Sequence, residues 1–128
     1  MVQLDNTNKE PAYLCGRLFA LLEKIQREAL GSVGASIVDR FYGSASSAPA
    51  SVFGNLMRGS QAHLSKLRKN EKKKGLHGYF QKQLEEIAAH LMEFPLKLTL
   101  QQQGLFALGY YHQHAYRKPK DQESKTEE

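Results

Sequence analysis

Between Ala12 and Ala29 the apolar residues Leu14, Leu18, Leu21, Leu22, Ile25 and Ala29 recur three and four positions apart. That is the period of a helix that turns one face to a core. Arg17, Lys24 and Glu28 lie mostly off the stripe, Pro11 stands where a first helical turn accepts proline, and Gly31 and Gly34 end the pattern. The spacing predicts a helix of about five turns.

The following segments carry the same period with different punctuation. Ile37, Val38, Phe41 and Tyr42 fit one face of a short helix over residues 35–43, although the β-branched pair also suits a short strand. Helix is the preferred reading. Gly43 and the hydroxyls of Ser44, Ser46 and Ser47 predict a turn that caps a second long helix opening at Pro49. That helix extends to about Leu67 on a stripe of Phe53, Leu56, Leu64 and Leu67, with Ser60 in one apolar position. Gly54 and Gly59 weaken it by up to ~1 kcal/mol each, which marks either close packing or modest stability.

Residues 70–78 read as a charged connection. A third long helix from Leu76 or Tyr79 to Met92 follows, striped by Phe80, Leu84, Ile87 and Leu91 and stopped by Phe94-Pro95. Lys82 and Glu86 are spaced for an i,i+4 pair. Thr99 and Gln102 have capping-box spacing and open a last helix reaching Tyr116, with Leu105, Leu108 and His112 in one row and Phe106 and Tyr110 in the next. The expected fold is all-α, a compact helical bundle of four longer helices plus one short helix with short connections. Residues 1–10 read as a flexible segment, 11–116 as a single helical-bundle domain and 117–128 as a disordered polar tail. A length of 128 residues suits one core.

The charge is not spread evenly. Arg58 to Lys82 holds eight of the eighteen basic side chains against one acid, Glu71, a formal +7 in a chain whose total is +5. On a helical wheel Arg58, Ser65 and Lys69 share the side opposite the apolar stripe, flanked by Lys66 and Arg68, and Lys72, Lys73 and Lys74 continue the run. Such a concentration suits a nucleic-acid backbone, bound without regard to sequence and weakened by salt. Lysine predominates over arginine there, which favours charge contact over bidentate reading of bases. The competing explanation is a solvated face that keeps the protein soluble. No aromatic anchors interleave with the lysines, so a membrane surface fits less well.

Catalytic chemistry finds little support. His63, His77 and His90 stand alone, and His112 and His114 are two apart, about 200° around a helix, so zinc ligation is disfavoured against structural or surface roles. His77, among lysines, could donate to phosphate. No pair of carboxylates has acid–base spacing, the serines lack a nucleophile setting, and the glycines do not form a phosphate-binding loop. The lone Cys15, within an apolar run, reads as a buried small side chain and fits a reducing compartment. The expectation is a binding protein, not an enzyme, with no cofactor.

Three runs carry a resemblance: PAYLCGRLFALLEKIQ (11–26), DRFYGSASSAPASVF (39–53) and QGLFALGYYHQ (103–113). In this order they resemble the C-terminal region of the large subunit of the type I-C CRISPR interference complex, over residues 8–114. In that family the region is also made separately, from an internal start, as a small subunit, and a chain opening at Met1 just ahead of the first run looks like that product. The resemblance implies a non-catalytic, cytoplasmic prokaryotic helical bundle present in more than one copy, packed on backbone and large subunits. It would brace the guide–target duplex and line a path for displaced DNA. Candidate nucleic-acid contacts are Arg58, Lys66, Arg68, Lys69, Lys72, Lys73, Lys74 and Lys82, with Arg17, Lys24 and Arg27 as a weaker second set. The alternatives are a free-standing, sequence-independent nucleic-acid-binding protein and, less favoured, a small nuclease.

Overall fold

The computed structural model describes residues 4–31 and 37–116. Among them are five α-helices and no strand: α1 (Pro11–Leu30), α2 (Ile37–Ser47), α3 (Phe53–Lys69), α4 (Lys74–Ala88) and α5 (Leu100–Ala115), with a 3-10 turn at Pro49–Ser51 between α2 and α3. The expected all-α bundle with short connections is what forms. The expectations on Gly34 and on residues 117–128 lie outside the described residues.

Every other helix packs on α1. Its residues from Ala12 to Leu22 are all buried, so its first three turns are enclosed on every side and not along one stripe. The cause is α5. Backbones of the two helices meet at a pair of glycines: a Cβ on Gly16 would lie 2.0 Å from the Phe106 carbonyl oxygen, and one on Gly109 would lie 2.1 Å from that of Tyr13. Only hydrogen in place of a side chain permits that approach. Around this contact Phe19 is fully buried, its ring 5.7–6.2 Å from those of Tyr42, Phe53, Phe106 and Tyr110. Cys15 is buried beside them, and burial pushes its thiol up to about 12, so it behaves as the small apolar side chain expected.

The helix ends follow local chemistry. Pro11 opens α1, and Gly31, at φ 74°, closes it with its N–H on the Arg27 carbonyl. The capping box forms as expected: Thr99 Oγ1 accepts from the Gln102 N–H at 3.1 Å, and the Thr99 N–H donates to Gln102 Oε1 at 2.8 Å. The serines do otherwise. Ser46 and Ser47 donate back to the Gly43 carbonyl at 3.2 and 2.8 Å, continuing α2 by one more turn instead of capping α3, whose N-cap is Val52. That extra turn carries Ala45 into the core.

α3 and α4 form a helical hairpin closed by residues 70–73, so α4 starts two residues before the earlier expected position and the expected connection is halved. Gly75 and Gly78 lie inside α4, which ends at Ala88, four residues short of Met92. The hairpin buries Phe53, Ser60, Leu64, Leu67, Phe80, Leu84 and Ile87. Ser60 fits the apolar stripe because its hydroxyl donates to the Met57 carbonyl at 2.7 Å. Phe53 stacks on Phe94 at 4.8 Å. Gly54 and Gly59 meet nothing within 4 Å, so of the two explanations for them modest helix stability is the one that applies.

Two sets of substitutions separate these contacts. Gly16→Ala or Gly109→Ala should destabilise by about 3 kcal/mol or more, since backbone faces backbone and no rotamer can yield, whereas Gly59→Ala should stabilise by up to ~1 kcal/mol; urea midpoints read both. Phe53→Asp, which leaves a carboxylate in a fully buried site, should abolish cooperative melting, and a native-like transition would contradict the packing described.

Candidate nucleic-acid interface

The hairpin gathers most of the predicted bases. Lys66, Arg68 and Lys69 occupy the last turn of α3, Lys72 and Lys73 the connection, and Lys74 the first position of α4. Arg58 lies eight residues before Lys66, and Lys82 eight residues after Lys74, each roughly 12 Å down its helix at 1.5 Å per residue. All of these side chains except Lys73 are exposed. Arg58 holds Asn55 Oδ1, and Lys74 makes a 3.5 Å ion pair with Glu71. That pair is exposed on both sides, so it holds Lys74 only weakly. Lys82 does not pair with Glu86 as expected.

The positions differ in what the helix dipole does to them. At the α3 C-terminus, cations meet partial negative charge from unpaired carbonyls and are stabilised there without any ligand. At the start of α4 the sign reverses: Lys73 is the N-cap, Lys74 follows, no acid sits in the first turn and no side chain caps it. Positive charge beside a positive helix end is unfavourable until an anion arrives. Lys72 and Lys74 therefore lack the dipole stabilisation that Lys66, Arg68 and Lys69 have, with Glu71 the acid that faces Lys74 there.

Lys73 has separate work. Its ammonium donates to the Glu28 carbonyl at 2.7 Å and lies 3.6 Å from the Glu28 carboxylate, tying the hairpin to the last turn of α1. This bond satisfies one of the carbonyls that α1 would otherwise leave open.

The second set does not form a comparable surface. Arg17, expected off the stripe, is 6% exposed, because α5 covers that side of α1. Its Nε donates to Gln113 Oε1 at 2.9 Å, and burial draws the guanidinium below its ordinary value while Tyr13 and Glu86 oppose the shift. Arg27 pairs with Glu23 at 2.9 Å; Glu23 also accepts from the Tyr110 hydroxyl at 2.7 Å, and that tyrosine is raised by burial and by the bond. Lys24 is half-buried on the same helix. Sequence reading missed Gln113 and Glu23 as buried partners, since an isolated amide or acid on a helix carries no pattern.

The histidines stay apart. His112 Nδ1 lies 2.7 Å from the Tyr13 hydroxyl, and burial lowers His63, with Lys66 adding to the effect. His77 is half-buried one turn into α4. Among the described residues no group of three or more His, Cys, Asp and Glu could hold a metal, and no helix is long and apolar enough to cross a membrane.

These features define an all-α bundle with a cationic helical hairpin on its surface. The family model for a CRISPR-associated protein (Cas_Csd1) matches residues 1–117. The chain belongs to this Cas_Csd1 family of CRISPR-associated proteins. No curated protein matches it.

The two kinds of lysine should separate on mutation. Lys73→Ala should lower stability by about 1 kcal/mol through loss of the Glu28 contact, while Lys72→Ala should leave it unchanged or slightly raised. Parallel denaturant titrations provide the comparison.

Proposed function

We propose that this protein is the non-catalytic small subunit of a crRNA-guided DNA surveillance complex of the type I-C kind, with residues 11–116 as its one domain. It braces the assembly and holds the guide–target duplex and the displaced DNA strand through electrostatic contact with the hairpin. The family match over residues 1–117 supports the CRISPR setting. The observation that carries the mechanism is the set of bases between Lys66 and Lys74, exposed except for Lys73 and crowded where a helix N-terminus already attracts anions.

In this reading the bases at 58, 66, 68, 69, 72, 74 and 82 contact phosphates, and Lys73 positions the connection. The partners are the backbone and large subunits, further copies of the chain, the crRNA–DNA hybrid and displaced DNA, in the cytoplasm of a prokaryote. Cutting of DNA falls to another component, and this chain needs no cofactor for holding.

The test is DNA retention by the assembled complex across a salt series, with Lys69, Lys72 and Lys74 replaced together by alanine and Lys73 left intact. Three lost phosphate contacts should reduce the slope of log affinity against log salt by about 2 to 3. Circular dichroism of the isolated subunit should not change. Equal retention by variant and parent at every salt concentration would remove the hairpin from the mechanism. Comparable affinity of the isolated chain for bare DNA would favour a free-standing binding protein.

A further inference from the structure

A second feature lies about 18 Å along α4 from Lys74, at 1.5 Å per residue over the twelve positions to Glu86. There a cleft of about 340 Å³ is walled by Asn6, Lys9, Arg17, Gln83, Glu86 and His90, bringing together the segment before α1, α1 itself and the end of α4. That volume is at the lower end of the range for small-ligand sites, roughly 300–1,000 Å³.

Its floor is built from donors. Arg17 is 6% exposed, and among the described residues its side chain makes one hydrogen bond, from Nε to Gln113. No carboxylate reaches it within ion-pair distance among the described residues; Glu86 and Asp5 act on it only from further away. No buried side-chain nitrogen lacks a partner, so the terminal nitrogens of Arg17 are not sealed from solvent, and Arg17 is one of the residues that line the cleft. Gln113 then fixes its neighbour. With its Oε1 taken by Arg17, its Nε2 donates to Gln83 Oε1 at 3.5 Å, leaving the Gln83 amide nitrogen as that residue's free group. Gln83 is 7% exposed. A buried guanidinium without a carboxylate partner is costly, and an acceptor-only, negatively charged ligand would relieve it. Lys9, whose ammonium also donates to the Asn6 carbonyl at 2.9 Å, and His90 line the cleft as well, and Glu86 is the acid in its lining.

We infer that this cleft binds a phosphate group, held by the Arg17 fork and the Gln83 amide at its floor and by Lys9 at its rim. Phosphate has the planar pairs of acceptor oxygens that a guanidinium fork fits. A nucleic-acid strand and a free phosphate ester offer the same chemistry. The site shares α4 with the hairpin but lies at the far end of that helix from the bases at 66–74, so its loss would leave the proposed function standing.

The test is titration of the isolated full chain with inorganic phosphate, and separately with a single-stranded tetranucleotide, at constant ionic strength, following the side-chain Nε–H resonance of Arg17 and the Nε2 resonances of Gln83 by NMR. Both should shift saturably. Glu86→Gln should tighten binding roughly threefold and Lys9→Ala weaken it roughly threefold, as expected for single partly exposed charges. Arg17→Lys keeps the charge without the fork and should weaken binding at least about tenfold; its melting curve is recorded alongside, and if it does not fold the Glu86 and Lys9 variants decide. Tighter, Arg17-dependent binding of the tetranucleotide would assign the site to a strand, and binding of phosphate alone to a free ester. Absence of saturable shifts with both probes, or affinity indifferent to Glu86→Gln and Lys9→Ala, would overturn the inference.

Discussion

Where α1 and α5 touch, there is room for main chain and nothing else. Glycine at 16 and 109 lets the two helices approach until backbone lies against backbone, and much of the remaining structure follows from that approach. It encloses the first three turns of α1, so polar side chains there must find partners inside the bundle. Arg17 finds Gln113, and Glu23 finds Tyr110 and Arg27. It also sets the Phe106 and Tyr110 rings around Phe19, the centre on which α2 and α3 close. A helix that is covered on all sides becomes the post to which other elements attach, and α1 has that place here.

The hairpin is attached differently. One face of α3 and α4 supplies Leu64, Leu67, Phe80, Leu84 and Ile87 to the core, and the other is left free to carry charge. Lys73 links the two regimes, its stem in the connection and its ammonium on the end of α1. Packing and charge are therefore separable in this part of the molecule: the residues that hold the hairpin in place are largely not those that give it its potential.

How much of this the sequence disclosed depended on whether a residue's role was local. The stripes of α1, α3 and α4, the Thr99–Gln102 cap and the buried character of Cys15 were legible because each is set by neighbours a turn away. Gly16 and Gly109 were not, because a glycine within a helical pattern signals only a propensity penalty until its partner helix is known. Arg17 looked solvent-facing for the same reason: α5, some ninety residues later, decides its burial. The serines after Gly43 had two local options, capping forward or bonding backward, and packing of Ala45 favoured the second. The start of α4 was masked by Gly75 and Gly78, residues that usually interrupt a helix and here lie within one.

The two proposed anion sites would obey different physics. At the hairpin the bases are exposed and numerous, so each contributes little, salt screens them, and they suit a long polyanion whose position along its axis is unimportant. At the cleft a single arginine is nearly enclosed and held in direction by an amide chain from Gln113 to Gln83. A charge so placed interacts more strongly per contact but accepts only an anion in register with its fork. The α1–α5 glycine contact links the two: by burying Arg17 it withdraws from the surface field a residue that would have joined it and makes it the floor of the proposed site. Positive charge in this fold acquires specificity in proportion to how far packing withdraws it from water.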